Sequence, residues 1–222
     1  MDFERARFNM IEQQIRPWDV LDPLVLETLT EIRRELFVPP ALRSLAFADM
    51  EIPLDIEGRH TGEVMLAPKV EARLLQAAAV DRSDKVLEIG TGSGFLAALL
   101  ARLADRVVSY EILPELAAFG RANLARAGLT GVEVREGNGL SACGQGEAYD
   151  LVVLSGSVER VPKELLDLLA AGGRLVAIVG ELPVMNAQLI TRMAAGEYST
   201  EVLFDTVAAP LKGFLTPQRF VF

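Results

Sequence analysis

The sequence predicts an α/β fold: a mostly parallel sheet flanked by helices, with a C-terminal antiparallel hairpin and an N-terminal helical region before it. Three observations lead there. From about residue 79, short apolar strands alternate with helical stretches, which implies right-handed crossovers and parallel strands. Near the C-terminus, two strand-like runs flank Gly196-Glu197 with no helix between them. Before residue 79, apolar residues recur at helical spacing. We therefore expect a helical region over 1–78 that packs on a sheet domain over 79–222.

Three helices are predicted in the N-terminal region. ERARFNMIEQQIRPW keeps apolar residues at helical spacing, and Pro17 should end that helix, because a residue before proline avoids the helical conformation. DPLVLETLTEIRRELF forms the second, with Asp22 as its N-cap and Pro39-Pro40 as its stop. The third begins at Pro68 and runs through KVEARLLQAAA.

The second region alternates strands and helices in a regular order. The predicted strands are KVLEIG (85–90), RVVSYE (106–111), VEVREG (132–137), YDLVVLSG (149–156) and GRLVAIVG (173–180). The helices between them are SGFLAALLARLA (93–104), PELAAFGRANLARAG and VPKELLDLLAAG. The last two runs, AQLITRMAAG and STEVLFDTVAAPL, should form a hairpin at one edge of the sheet.

Composition and charge exclude several classes of function. The formal charge of −9 disfavours nucleic acid as a partner, because such a surface repels phosphate backbones. One cysteine, Cys143, and one histidine, His60, can form neither an internal disulfide nor a Cys/His zinc site. The charged N-terminus lacks a signal-peptide pattern, and no apolar run is long enough to span a bilayer. We expect a cytoplasmic protein with no metal and no membrane partner.

The glycine loop in VLEIGTGSG (86–94) is the most informative stretch. In an open α/β sheet, ligands bind beyond the carboxyl ends of the strands, where this loop lies. Gly90, Gly92 and Gly94 alternate, and Phe95 stands where the dinucleotide fingerprint has its third glycine. A Gly-Lys-Ser/Thr phosphate loop is also absent from the sequence. The loop is therefore open to a ligand but does not have the layout that a pyrophosphate requires.

Two acidic residues indicate which ligand the loop accepts. Glu88 ends the first strand of the sheet, and Glu111 ends the second, about 17 residues beyond Gly94. That offset is close to the ~20 residues that separate the glycine loop from a ribose-binding acid in dinucleotide folds. Two carboxylates would repel a diphosphate but suit S-adenosylmethionine, which carries a ribose, an ammonium and a sulfonium but no phosphate. An ordinary glycine turn between strand and helix is the alternative.

The motifs, taken in order, resemble one family. VLEIGTGSGFLAALLA resembles the first cofactor motif of class I S-adenosylmethionine methyltransferases, and the chain as a whole looks like the protein-L-isoaspartate O-methyltransferase family. The motifs that carry the likeness are RRELFVPPALRSLAFADMEIPL, EGNGLSACGQGEAYDLVVLSGS, VPKELLDLLAAGGRLVAIVG and TVAAPLKG. The resemblance implies the Rossmann-like sheet of class I methyltransferases and S-adenosylmethionine as the cofactor.

The resemblance also implies a cofactor-binding set. The residues around the methionine half of the cofactor would be Glu88, Gly90, Thr91, Gly92 and Gly94. Glu111, with Ile112 beside it, would bind the ribose, and the loop Gly137-Asn138-Gly139 would lie by the adenine edge. Asn138 stands where the family usually has Asp. Because an amide donates as well as accepts, we expect altered hydrogen bonding at that edge.

The acceptor side departs further from the family. The family carries a T-I-S-x-P motif before the helix that precedes the first sheet strand, whereas this chain has Val64 and Leu66 where two hydroxyls are expected. One interpretation is that Val64 and Leu66 only pack in a loop whose sequence has diverged from the family. We favour the other, that they line an acceptor pocket more apolar than that of the family. Ser155, Ser157 and His60 are candidates for contacting the acceptor, although plain solvation explains each of them as well. We assign no catalytic residue, because a carboxylate acceptor is already ionised at neutral pH.

Three functions remain open from the sequence. The first is methylation of isoaspartyl carboxylates in damaged proteins or peptides, the repair role that the resemblance implies. The second is methylation of another acceptor, such as a small molecule. The third is a non-catalytic module that binds the cofactor. The sequence lacks the motifs that are typical of methylation of other acceptors. It has no N-P-P-Y run for adenine and no acidic magnesium-binding cluster for catechols. It also has no Pro-Cys nucleophile for cytosine, since Cys143 lies in SACGQG.

Overall fold

A computed structural model describes residues 2–144 and 146–214 of the chain. Its helices are α1 (Phe3–Met10), α2 (Pro23–Glu31), α3 (Pro68–Ala78), α4 (Phe95–Leu103), α5 (Pro114–Arg126) and α6 (Lys163–Leu166). Its strands are β1 (Ile52–Pro53), β2 (Val64–Met65), β3 (Lys85–Ile89), β4 (Arg106–Glu111), β5 (Val132–Glu136), β6 (Tyr149–Val158), β7 (Leu169–Glu181), β8 (Val184–Arg192) and β9 (Tyr198–Asp205).

The main sheet has seven strands in the order β5-β4-β3-β6-β7-β8-β9. The first five of these are parallel to one another, and β8 and β9 continue the sheet antiparallel. The predicted α/β architecture and its C-terminal hairpin are therefore confirmed. The chain leaves β3 towards β4 on one side and later returns to β6 on the other, so the carboxyl end of β3 opens onto the switch point of the sheet.

The sheet is buried on both faces because alternate residues of its strands point to opposite sides. On β6, Leu151 and Val153 belong to one apolar cluster, whereas Val152 and Leu154 belong to another. The first cluster is shared with the N-terminal region, since it also contains residues of α1, α2 and α3. The helical region thus packs directly on one face of the sheet.

The N-terminal helices begin where their capping residues predict. The Asp22 carboxylate accepts hydrogen bonds from the backbone N–H groups of Leu24 (2.8 Å) and Val25 (3.3 Å), as an N-cap does. After α1 the chain continues through a π-helical turn over Ile11–Ile15 and a 3₁₀ turn over Arg16–Trp18. The first helical stretch therefore ends next to Pro17, in agreement with the sequence.

Helix α2 is shorter than its apolar spacing predicts. It ends at Glu31, and the run up to Leu36 leaves the helix and forms a 3₁₀ turn over Arg34–Leu36. The physical reason is tertiary: Arg34 and Glu35 are both buried and bind groups far along the chain. A continued helix would not place both side chains on their partners.

Two further elements differ from the sequence prediction. The stretch VPKELLDLLAAG forms only the four-residue α6, because Leu169 already pairs with Tyr149 as the start of β7. The N-terminal region is not wholly helical either, since β1 and β2 form a small antiparallel pair with Ile52 opposite Met65. Within the described ranges, no helix combines the length and apolar character that crossing a membrane requires.

Candidate functional site

A cleft lies at the carboxyl ends of β3, β4 and β6. It brings together the predicted cofactor residues Gly90, Gly92, Glu111, Ile112 and Gly139. It also contains two predicted acceptor residues, Val64 and Ser155. Seven lining residues were not predicted from the sequence: Leu54, Glu63, Ile89, Tyr110, Leu116, Leu211 and Lys212.

The glycine turn between β3 and α4 needs glycine at the position where α4 begins. Gly94 has a φ of +82°, and a β-carbon there would lie 3.1 Å from the carbonyl oxygen of Gly120 on α5. A side chain at Gly94 would therefore be strained by its backbone conformation and would also crowd α5.

Glu111 is tied to the glycine turn through its side chain. Its carboxylate accepts hydrogen bonds from the backbone N–H of Gly92 (2.8 Å) and of Leu113 (3.0 Å). Burial raises the pKa of Glu111, and these backbone hydrogen bonds act in the opposite direction. Each carboxylate oxygen has a second lone pair, so the side chain can still accept hydrogen bonds from a bound diol.

Glu88 lies at the centre of a buried hydrogen-bond chain. Its two carboxyl oxygens accept from the hydroxyls of Ser109 (2.5 Å) and Ser155 (2.9 Å). The Thr91 and Ser109 hydroxyls lie 2.6 Å apart and extend the chain, and either hydroxyl can be the donor in that contact. Burial raises the pKa of Glu88 to about 8, against the effect of the two serine hydroxyls.

Behind the glycine turn is a smaller chamber that contains the acceptor motif. Val64, Gly90, Gly92 and Ser155 line both this chamber and the cleft, so the two spaces adjoin. Leu66 lines the chamber with Glu88 and is buried. Val64 and Leu66 thus give the chamber an apolar wall, and their contact with a methyl acceptor stays a prediction.

A buried arginine holds the acceptor motif in place. Arg34 is fully buried and donates to the carbonyl oxygens of Ala46 (2.9 Å) and Leu66 (2.6 Å). It also forms an ion pair with Glu71 on α3 and stacks over the ring of Phe95 on α4. Burial raises the pKa of Glu71, and the Arg34 guanidinium opposes that rise. Sequence reasoning missed this residue, because helical spacing placed it on an amphipathic helix.

The segment 210–213, which we call the C-terminal strap, crosses the cleft. The Leu211 N–H donates to the carbonyl oxygen of Ser157 (2.9 Å), and Asn138 Nδ2 donates to that of Gly213 (3.0 Å). On the other side of the cleft, Lys212 Nζ lies 2.6 Å from Glu63 Oε1. No local pattern could have placed the strap, because it follows an edge strand and returns over the middle of the sheet.

Four predicted residues have side chains that point elsewhere than into the cleft. His60 is exposed and lies 2.9 Å from Asp55, in the turn between β1 and β2. Ser157 is buried and donates to the carbonyl oxygen of Ala208. Thr91 faces the Ser109–Glu88 chain, and Asn138 uses its side chain to bind the strap and the amide of Leu140.

The acidic side chains of the cleft suit a ligand without phosphates. Glu63 and Glu111 line it, and the buried Glu88 lies below the glycine turn, so cationic groups are favoured over anionic ones. Among the described residues, no group of three or more His, Cys, Asp or Glu side chains could hold a metal ion. The arrangement can accept hydrogen bonds from a diol at Glu111 and can hold a cation near Glu88.

Known proteins match this chain over nearly its whole length. The model of the family described as protein-L-isoaspartate(D-aspartate) O-methyltransferase matches residues 5–213. Protein-L-isoaspartate O-methyltransferase of Methanoculleus marisnigri is 43% identical over 176 residues, which are 79% of this chain and 78% of that one. Protein-L-isoaspartate O-methyltransferase 2 of Pelobacter propionicus is 37% identical over 211 residues, 95% of this chain and 92% of that one.

Solved structures share the fold. One is a crystal structure from Plasmodium falciparum of a protein assigned as a protein-L-isoaspartate O-methyltransferase, in complex with S-adenosyl-L-homocysteine. It superposes with a TM-score of 0.75 at 18% identity and covers 96% of this chain and 99% of that one. A second protein-L-isoaspartate O-methyltransferase structure has a TM-score of 0.78 at 21% identity, with 95% and 66% covered. At these identities the likeness concerns the fold.

Proposed function

Because this chain belongs to the protein-L-isoaspartate(D-aspartate) O-methyltransferase family, we propose that it methylates the carboxylate of isoaspartyl residues in damaged proteins, with S-adenosylmethionine as the methyl donor. The observation that carries the proposal is the match of the family model over residues 5–213, which includes both the glycine turn and the strap. We propose the cytoplasm as its location, since one cysteine suits a reducing compartment.

The geometry of the cleft supports the proposed cofactor. Glu111 is positioned at the carboxyl end of β4, where its free lone pairs would accept the ribose hydroxyls. Gly90 and Gly92 line the cleft together with Glu111 and Ser155. Because glycine has no side chain, a ligand can lie directly against the backbone at these two positions. When bound, S-adenosylmethionine supplies an electrophilic methyl group on a positively charged sulfur. Gly137 and Gly139 would then lie beside the adenine.

Glu88 would support the positive end of that cofactor. Its carboxyl group is held in place by Ser109 and Ser155, so it can respond to a cation by losing its proton without moving. A nearby positive charge favours the ionised carboxylate. We therefore assign Glu88 to electrostatic support of the methyl donor and not to proton transfer with the acceptor.

The chain's contribution to the reaction is orientation and exclusion of water. An isoaspartyl carboxylate is ionised at neutral pH, so the acceptor oxygen needs no base to become a nucleophile. Val64 and Leu66 would exclude water from that oxygen, and Ser155 would border it on the opposite wall. Holding donor and acceptor in line can supply on the order of 7–11 kcal/mol of the barrier.

The test is methyl transfer to matched peptides. The purified protein is incubated with labelled S-adenosylmethionine and a peptide containing one isoaspartyl residue; the same peptide with a normal aspartyl residue is the control. We expect a base-labile methyl ester on the isoaspartyl peptide alone. Binding of S-adenosylhomocysteine by calorimetry without ester formation would contradict the proposal. Binding of NAD or ATP without binding of S-adenosylhomocysteine would contradict the cofactor assignment as well.

A further inference from the structure

The electrostatics of the cleft create a conflict between the two substrates. Glu63 and Glu111 line the cleft, and Glu71 and Glu88 line the chamber behind the turn. Burial is the main cause of the raised pKa of Glu111, and the charge of Glu63 raises it further. Glu71 is paired with Arg34, and the raised pKa of Glu88 favours its protonated form in the free protein. Glu63 and Glu111 therefore remain to attract a cationic methyl donor, and the same charges repel an acceptor that is itself a carboxylate.

The walls next to the acceptor position offer little to offset that repulsion. Val64 and Leu66 have no side-chain donor, and the Ser155 hydroxyl already donates to Glu88. Among the described residues that line the cleft or the chamber, Lys212 is the one cationic side chain. A carboxylate that enters a largely acidic, apolar-walled site without a cation would remain poorly compensated.

The Lys212 ammonium group could exchange its contact with Glu63 for one with the acceptor carboxylate. It extends from the strap across the mouth of the cleft, where its ammonium group contacts Glu63 Oε1 at 2.6 Å and donates to the Thr61 carbonyl at 2.9 Å. The Lys212 side chain is 45% exposed, and that of Glu63 is 21% exposed. A pair exposed to this extent is weakly held, and the ammonium group has three donors. Glu63 directly precedes Val64, so this contact is adjacent to the proposed acceptor wall.

We propose that Lys212 is the specificity-determining residue that binds the acceptor carboxylate, and that Glu63 holds it in readiness until the acceptor arrives. The inference rests on the proposed function and adds a residue to its acceptor site. It assigns to Lys212 the recognition of negative charge, and leaves cofactor binding to the glycine turn and Glu111. A charge-assisted hydrogen bond of this kind raises affinity without changing the chemistry of methyl transfer.

The experiment compares Lys212→Met with Glu63→Gln in steady-state kinetics on the isoaspartyl peptide. Both variants break the same ion pair, but only the first removes the cation. We expect Lys212→Met to raise the KM for the peptide about tenfold, the loss typical of one hydrogen bond to a charged group. Glu63→Gln should lower the KM, because it removes a competing carboxylate. The affinity for S-adenosylhomocysteine should stay within about twofold in both variants.

Two controls and a salt series complete the design. Lys212→Arg keeps the charge and should restore most of the wild-type KM. Arg82→Met removes one exposed charge from the loop before β3, at the amino ends of the parallel strands and therefore opposite the cleft, and should leave the KM unchanged. The wild-type KM should rise with ionic strength more steeply than that of Lys212→Met, because salt screens an attraction that only the wild type has.

The outcomes separate the two proposals. If the wild type makes no ester on the isoaspartyl peptide, the proposed function fails and this inference fails with it. If the wild type is active and Lys212→Met has an unchanged KM, only the role of Lys212 is overturned. A third outcome is that Lys212→Met and Glu63→Gln both raise the KM and both weaken S-adenosylhomocysteine binding. The ion pair would then serve only to hold the strap in place, and the role of Lys212 would again be overturned.

Discussion

The Ser155 hydroxyl donates a 2.9 Å hydrogen bond to the buried carboxyl group of Glu88, and this contact joins the ends of the two strands that border the cleft. Ser155 is at the end of β6 that lines the cleft, and Glu88 is one residue from the end of β3. The side chain proposed to support the methyl donor and one that borders the acceptor are therefore linked directly. A change of charge on Glu88 would therefore alter the hydrogen bond that Ser155 makes with it.

The raised pKa of Glu88 predicts how the stability of the protein depends on pH. Burial raises this pKa from its ordinary value of 4.5 to about 8. Between those values the folded protein holds a proton that the unfolded chain has released, so the free energy of unfolding falls as the pH rises through this window. The decrease should be on the order of a few kcal/mol, measured by urea unfolding at a series of pH values.

Glu88→Gln is the matched variant for this pH dependence, because it keeps the side chain's shape and cannot ionise. The variant should lose less stability than the wild type between about pH 5 and pH 8. Some dependence should remain, since burial also raises the pKa of Glu71. Parallel stability curves for wild type and variant would show that Glu88 is ionised in the folded protein.

Cofactor binding should release a proton near pH 7. The Glu88 carboxyl group, protonated in the free protein because of its raised pKa, would ionise beside the cationic donor. Calorimetry of S-adenosylmethionine binding in two buffers of different ionisation enthalpy measures the number of protons released. We expect a clear fraction of one proton for the wild type and close to none for Glu88→Gln. Equal release by both proteins would assign the proton to another group.

Arg34→Met should strongly destabilise the fold. Arg34 is fully buried, and its removal leaves Glu71 buried without its cation and the carbonyl of Leu66 without its donor. Breaking a buried pair in this way costs about 3–5 kcal/mol in the free energy of unfolding. Arg102→Met is the control, because its ion pair with Glu31 is about two-fifths exposed and should have little effect. Equal urea midpoints for the two variants would contradict this account.

Gly120→Ala should reduce stability although it improves helix propensity. Gly120 is on α5, and a β-carbon there would lie 2.8 Å from Thr91 Cγ2 in the glycine turn. The contact should push α5 away from the turn and weaken binding of S-adenosylhomocysteine. Ala122→Gly, at an exposed position of the same helix, should cost about 1 kcal/mol of stability without affecting binding. Calorimetry and thermal unfolding of both variants distinguish packing from propensity.

Asn138→Asp should loosen the strap. The Asn138 amide donates to the carbonyl oxygen of Gly213, and a carboxylate cannot make that hydrogen bond. Leu211 belongs to the strap, and its backbone N–H donates to the carbonyl oxygen of Ser157 on β6. We expect faster hydrogen exchange at this amide in the variant. Asn186→Asp on β8 makes the same chemical change away from the cleft and should leave this amide unaffected. Unchanged exchange in Asn138→Asp would show that the strap is held by its other contacts.

Several features of the fold could be predicted because they depend on neighbours in the chain. Apolar periodicity locates β3 to β7, and strands joined by helices must run parallel with right-handed crossovers. Glu111 could be assigned to the cleft from its offset alone, since the ends of adjacent parallel strands meet at one edge. The cap at Asp22 depends on two amide groups within three residues of it.

The sequence by itself determined the alternation of parallel strands and helices around the glycine turn, and it predicted the acidic residues of the site and the apolar acceptor wall, because each is encoded in local spacing or residue type. Only the tertiary structure decided the contacts of Arg34 with Glu71 and of Lys212 with Thr61, which join residues 37 and 151 positions apart. Such contacts depend on how surfaces pack across the whole molecule, and no periodicity records which distant carbonyl or carboxylate a long side chain will meet.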